Sequence, residues 1–408
     1  MYATHAPHGR KNLLESVANA REGSNIRQET RETRPFLQLA LLSAGHFFND
    51  VHSAFLPTLL PEIIRKLSLS MAQAGFLNSA TGLVQMLTIP FMGVLADRTN
   101  RPVFVIAGPI LSSLGIALMP FAPGYASLLL CLGIFSFGSS TFHPQGQASS
   151  GAVAGETRHS LFVSLFSGAG MLGAAFSPLY AVFLVKTLGY RGLPVVLVPT
   201  LALAFVVYRI MPRIDFTPSR QAKAGFLSSI WQVGKVIWPV WAISLARDAT
   251  FQGVRFFLPL FLTLRGGTLA QGGFSIFAIT ILAVAASLVG GWSADRWGTR
   301  NVIAVTLSVS PLAILAATFA EGRLSLALFI AGTALLDASS PMTLAMGQKL
   351  TPHARGVASS ILMGFSWGPA GMATYPAGMI ADSLGLTATL RVFALLPLAS
   401  LPILFRRF

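Results

Sequence analysis

The chain has 408 residues, of which 53% are hydrophobic and only 11% charged, and its mean hydropathy is +0.66. Soluble domains carry about 25% charged residues, so a soluble globular enzyme or binding domain is excluded. The formal net charge is +15, yet Lys and Arg fall mainly at the ends of apolar runs and in short loops, which fits membrane topology and not a nucleic-acid surface.

Residues 1–35 are polar, mix both signs of charge and contain no apolar core. They read as a disordered cytoplasmic tail and not as a signal peptide. Apolar runs of about 20 residues then recur, which is the length that crosses a bilayer as a helix. Twelve spans are expected, near 36–61, 70–95, 103–122, 125–152, 160–186, 191–211, 237–264, 270–293, 301–319, 324–349, 356–382 and 387–405. The longest polar interruption, Pro212 to Gly225, divides them six and six. The expected organisation is therefore an all-α integral membrane fold. It comprises an N-terminal bundle at 36–211, a cytoplasmic linker at 212–236 and a C-terminal bundle at 237–408.

Nineteen Lys and Arg residues fall on the side of the N-terminus and seven on the other. That excess places both termini in the cytoplasm. Cys131, the single cysteine, lies in an apolar run and excludes an intrachain disulfide or a Cys-rich metal centre.

The two halves repeat. GVLADRTNR after the second span answers GWSADRWGTR after the eighth, and Asp97 and Asp295 are 198 residues apart, as are Asp50 and Asp248. Pro144 and Pro341 are 197 apart, and so are Arg158 and Arg355. Four landmarks at offsets of 197 or 198 residues indicate two parallel six-helix repeats about an axis along the membrane normal.

The duplicated loop, with Gly93, Asp97, Arg98 and Arg101 in one copy and Gly291, Asp295, Arg296 and Arg300 in the other, resembles the loop signature of the major facilitator superfamily. An aspartate at a cytoplasmic helix end can pair with arginines and with the positive N-terminus of a neighbouring helix. Arg158 and Arg355 complete that expected cytoplasmic gate.

Closer likeness lies in GSSTFHPQGQ (138–147), in TRHSLFVSLFSGAGMLGAAFSP (157–178) and in ASSILMGFSWGPAGMATYPAGMIAD (358–382). With SAGHFFNDVHSAFLP in the first span, these resemble the fosmidomycin-resistance family of bacterial efflux proteins. The resemblance implies a proton-driven exporter of small molecules in a bacterial inner membrane, built around a central cavity lined by spans 1, 4, 7 and 10. Gln145 departs from that pattern, where an acidic residue is expected, and so does the charged Asp248 beside Arg247 in the seventh span. The fifth and eleventh spans resemble the Gly-Pro-rich signature of antiporters in the superfamily, with Ser177 where a glycine is usual.

An Asp, Lys or Arg at a span centre costs about 2.5–3.5 kcal/mol on insertion scales, so such residues turn inward and pair. Here they are Asp50 in span 1, Arg247, Asp248 and Arg255 in span 7, and Asp337 in span 10. All fall on spans that the resemblance places around the cavity.

Helical spacing puts His46, Asp50, Ser53 and Pro57 on one face, with Asn49 and His52 on a flank. Asp248, Gln252 and Arg255 form a second stripe beside Arg247. His143 and Gln147 share a face in span 4, where Pro144 is expected to free a backbone carbonyl. In span 10, Asp337 falls near Ser340 and Pro341.

The functional reading makes Asp50 or Asp337 the proton carrier, with His46 or His143 as partner. Asn49, Ser53, Gln147, Arg247, Asp248, Gln252 and Arg255 would line the substrate cavity, the arginines suiting a carboxylate or phosphonate. The alternative is that Asp50, Asp248 and Arg247 sit in permanent structural pairs, His52 and His143 are core histidines and Arg255 reaches the outer interface. The glycine-rich fifth and eleventh spans are either moving parts or simple close packing.

No metal-ligand spacing, phosphate-binding loop or catalytic triad is present, so no cofactor and no enzymatic activity are expected. The expected partners are a small-molecule substrate, protons and lipid, with the protein acting as a monomer. Import of an organic anion and facilitated diffusion stand as alternatives to export.

Overall fold

In hydrocarbon every backbone amide must find its partner within the protein, which restricts an apolar chain of this kind to helices or a closed barrel. The computed structural model describes residues 35–96, 99, 101–154, 159–211 and 226–405, and among them there are helices and no β-strand.

The first half contains α1 (35–50), α2 (Phe55–Leu67), α3 (Met71–Ala96), α4 (Val103–Leu118), α5 (Tyr125–Ala154), α6 (His159–Leu188) and α7 (Leu197–Ile210). The second contains α8 (Phe226–Leu264), α9 (Leu269–Trp297), α10 (Thr299–Ala317) and α11 (Gly322–Asp337). It continues with α12 (Ser340–Leu350), α13 (Arg355–Met372), α14 (Thr374–Leu384) and α15 (Leu386–Leu404).

Among the described residues, eight stretches are long and apolar enough to cross a membrane on length and composition alone. The other four expected spans coincide with α1–α2, α3, α8 and α13–α14, each of which is broken or carries polar side chains.

Two boundaries differ from expectation. α8 begins at Phe226, so residues 226–236 of the expected linker are helical. α2 runs on to Leu67, past the expected end of the first span. α5 continues through Pro144 without a break; the break falls in the other repeat, where α11 ends at Asp337 and α12 starts with Pro341 in its first turn. A proline is tolerated in the first turn of a helix because the amide it lacks would be unpaired there anyway.

The halves meet along two related seams. Gly75 on α3 leaves room for the backbone of Thr374, and Gly273 on α9, 198 residues later, for the backbone of Pro178 on α6. A Cβ at Gly75 would run into the Thr374 main chain, so the close approach requires glycine there, whereas one at Gly273 would first meet the Val182 side chain. Along the first seam contact persists to Gly368 and Met86, whereas Gly93 on α3 and Gly364 on α13 face open space. The bundle is thus closed at the end where α2 turns into α3, and parts toward the end that carries residues 35 and 405.

Candidate functional site

The first span is interrupted just after its acid. Asp50 is the last residue of α1, and residues 51–54 form turns before α2 begins. Tight bonds close the break, Ser53 N to the Asp50 carbonyl at 3.0 Å and Phe55 N to the His52 carbonyl at 3.2 Å. The free Ala54 amide is satisfied from α6, where Ser177 Oγ accepts it at 2.8 Å.

Asp50 gathers three neighbours. His46 Nε2 lies 3.2 Å from Oδ2, His143 Nε2 of α5 lies 3.6 Å from Oδ1, and Asn49 Nδ2 donates to Oδ1 at 2.9 Å. Asn49 also reaches Ser139 Oγ at 3.3 Å, so it belongs to the cluster although helical spacing put it on a flank. His46 Nδ1 stands 2.8 Å from the carbonyl oxygen of Phe166, and its ring stacks on the Phe166 ring at 4.2 Å. Gly170 faces the same ring, and a Cβ there would meet His46 first.

One consequence is decided by chemistry. A carbonyl only accepts, so His46 Nδ1 must carry a hydrogen. The 3.2 Å contact between Nε2 and the carboxylate then requires a second proton, held either by the ring or by the acid. The Asp50 side chain is 18% exposed and that of His143 37%, so this proton borders open space. The ligand-capable atoms of His46, Asp50 and His143 lie within 4.8 Å of one another, so the fold adds His143 from α5 to the pair that helical spacing already placed on one face.

Other residues of the expected cavity face are placed differently. Ser53 falls in the break and is exposed, which ends the stripe that was to continue to Pro57. Gln147 is exposed, and among the described residues only its backbone carbonyl is engaged, by Ser150. His52 is buried edge-on to Phe55, and among the described residues neither of its ring nitrogens has a hydrogen-bond partner.

The second half holds a matching group. Arg247 Nε donates to Asp248 Oδ1 at 2.9 Å, a terminal nitrogen of the same guanidinium lies at 2.8 Å, and Nη1 donates to Thr343 Oγ1 of α12 at 2.8 Å. The two charged side chains are 3% and 5% exposed. Asp337, like Asp50, is the final residue of its helix segment at a break. Ser287 Oγ donates to its carbonyl at 3.1 Å and to Oδ2 at 3.3 Å, and Arg247 and Arg255 are close enough to interact with it electrostatically. Arg255 lies over the Phe251 ring at 5.2 Å, while its Nε is buried with no hydrogen-bond partner. Gln252 Nε2 donates to the Trp367 carbonyl at 3.1 Å, tying α8 to α13.

Of the expected gate, Asp97, Arg98 and Arg158 lie outside the described residues, as does the Arg355 side chain. Gly93 and Gly291 face open space. Asp295 is exposed at the end of α9 and has no ion pair among the described residues, while Arg296 lies over Trp292 at 4.1 Å. Arg300 is exposed.

Two residues whose roles the sequence did not reveal hold this frame. Ser177 has been described. Gln145, fully buried, accepts from the Phe104 and Val105 amides at 2.8 and 3.0 Å and donates to the Arg101 carbonyl at 2.8 Å. It caps α4 and fixes the exit of the loop that carries Arg101.

Comparison with known proteins agrees with this architecture. The chain is 27% identical to YfnC, an uncharacterized transporter of Bacillus subtilis (strain 168), over 88% of this chain and 90% of that one. It is 25% identical to the fosmidomycin resistance protein of Escherichia coli (strain K12), over 92% and 94%. A bacterial homologue of the human lysosomal transporter Spinster, in an inward-facing and unoccupied conformation, superposes with a TM-score of 0.76 at 16% identity. That match covers 91% of this chain and 96% of the other. The family model of the Major Facilitator Superfamily matches residues 42–376, and the chain is a multi-pass membrane transporter belonging to that superfamily.

Proposed function

We propose that this transporter exports a small organic molecule from the cytoplasm in exchange for protons, from a bacterial inner membrane with both termini cytoplasmic. The observation that carries the reading is the His46 tautomer. With Nδ1 committed to Phe166, the His46–Asp50 pair holds one proton that can leave only toward open space or His143.

The pair sits at the end of a broken helix, beside the space that opens toward the termini. Reorientation of the halves would present it to the opposite side, which is how one site exchanges protons with both compartments. On the other half, Arg247 and Arg255 are balanced by Asp248 and Asp337. An anionic substrate that takes Arg255 from Asp337 would change the charge that Asp337 faces, and so couple substrate to proton. The direction follows the fosmidomycin resistance protein, matched over 92% of this chain. The substrates are small molecules of drug or metabolite size, and the working unit is the monomer.

The test is flux in inside-out vesicles across a panel of organic anions, with a pH dye reporting proton movement. The parent protein should accumulate substrate in these vesicles and release protons from them. Asp50→Asn should insert normally and lose the proton signal. Unchanged proton-coupled flux in Asp50→Asn would remove Asp50 from the mechanism. Greater accumulation in whole cells would reverse the direction.

A further inference from the structure

The closed end of the bundle carries a fastening between the halves that its internal twin lacks. α3 begins with a capping box in which Gln73 N donates to Ser70 Oγ at 3.1 Å and Ser70 N donates to Gln73 Oε1 at 3.0 Å. Such a box leaves the amides of the first two helical residues unpaired. Both are taken by one carboxylate from the opposite half. Met71 N donates to Asp382 Oδ1 at 2.7 Å and Ala72 N to Asp382 Oδ2 at 2.9 Å. Gly75 and Gly378 lie on either side of this contact, each facing the other helix's backbone, and bring the two segments close enough for it.

The equivalent junction on the other seam, α6 with α9, is built from the same plan without the carboxylate. α9 starts with its own box, Thr268 with Gln271. The end of α6 reads Lys-Thr-Leu-Gly (186–189) where the end of α14 reads Asp-Ser-Leu-Gly (382–385). The two glycines share the left-handed backbone, φ 71° and 84°, which confirms that the positions correspond. Lys186 therefore stands where Asp382 stands in the other repeat. A lysine has no acceptor to offer, and among the described residues no α6 side chain reaches the Leu269 or Ala270 amides.

We infer that Asp382 is a one-sided latch that holds the transporter in the state closed at the end away from the chain termini, by capping α3 across the two halves. Opening that end must break both bonds and leave two helix-terminal amides and a carboxylate to water, whereas the α6–α9 junction has no such bond to break. The far end can open only once the α3–α14 contact is released, and Asp382 sets the balance of the two states without touching substrate or the His46–Asp50 pair.

The test needs no substrate and does not depend on direction or coupling. In full-length protein with Cys131→Ser, spin labels at Arg191→Cys and Arg323→Cys, both exposed at that end on opposite halves, report the separation by double electron–electron resonance. Asp382→Ala should move the population from the short toward the long distance by about five- to tenfold. That is what one exposed helix cap is worth, about 1 kcal/mol, and far less than two buried charge-assisted bonds, because water screens the exposed Asp382. Asp382→Asn, which keeps one acceptor, should fall between. A label pair within one half, Pro123→Cys with Lys186→Cys, should not change, which separates latch release from unfolding. Coincident distance distributions for Asp382→Ala and the parent, with the intra-half pair unchanged, would overturn the latch.

Discussion

His46 stands between Phe166 and Asp50 with one ring nitrogen committed to each, 2.8 Å from the Phe166 carbonyl and 3.2 Å from the Asp50 carboxylate. The first contact settles which nitrogen is protonated in the neutral ring, and the second therefore needs a shared proton. Gly170 makes the arrangement sterically possible, since any Cβ there would lie against the imidazole. Gly170→Ala should therefore displace the His46 ring and weaken proton coupling although no ionisable group is removed. Overpacking of this kind costs about 1–3 kcal/mol. The check is proton-coupled flux in a variant that still folds. Parent-like coupling at every pH would show that the ring position is irrelevant.

Ser177 carries a second prediction. Its hydroxyl is the acceptor for the buried Ala54 amide at the break in the first span. Ser177→Ala leaves that amide unpaired at a cost of about 1–3 kcal/mol, and Ser177→Gly, the residue usual in the resembled signature, should lose the same bond. Ser177→Thr retains a hydroxyl and should lie closer to the parent. Thermal unfolding can be followed with a thiol-reactive dye, because the only cysteine, Cys131, is buried in the folded protein. Equal melting temperatures for all four proteins would mean that the break is satisfied in some other way.

What the sequence disclosed and what it hid follow one physical line. Charges within apolar runs are expensive, so Asp50, Arg247, Asp248, Arg255 and Asp337 stood out, and the structure places them in two clusters near the break points. The breaks themselves were hidden. Pro144 lies within an unbroken α5, while α1 stops at Asp50 in a stretch without proline, where Ser177 from another helix supplies the cap. Caps made from distant chain leave no local pattern, which is why Ser177, Gln145 and Asp382 were not recognised for what they hold. Gln145 and Ser177 were at least visible as departures from a family pattern. Asn49 was assigned to a flank by its helical angle, yet a short side chain at the end of a helix reaches its own neighbour's carboxylate.

The Arg247–Asp248 pair separates structure from function in the second half. Both side chains are nearly inaccessible and the guanidinium is also bound by Thr343. Removing one member of a buried pair costs about 3–5 kcal/mol, whereas replacing both by apolar residues of similar volume is often neutral. Asp248→Asn should therefore lower the melting temperature strongly, and Arg247→Met combined with Asp248→Leu should recover much of the loss. If the double variant is stable and still transports, the pair is a brace. Stability without transport would place Arg247 in the substrate path.

Arg255 differs from Arg247 in having no carboxylate at hydrogen-bond distance among the described residues. Its Nε is buried and unpartnered, its guanidinium lies over Phe251, and Asp337 acts on it only through space. Losing the ring contact costs about 0.5–1 kcal/mol, so Arg255→Ala should melt close to the parent. A charge-assisted bond to an anionic substrate is worth about 1.5–3 kcal/mol, which corresponds to roughly 10- to 150-fold in affinity. Arg255→Ala should therefore raise the half-saturating concentration of an anionic substrate by about that factor and leave a neutral one unchanged. Arg255→Lys should recover part of the loss, because the charge returns without the planar fork. Equal transport of anions by the parent and Arg255→Ala would assign substrate charge recognition elsewhere.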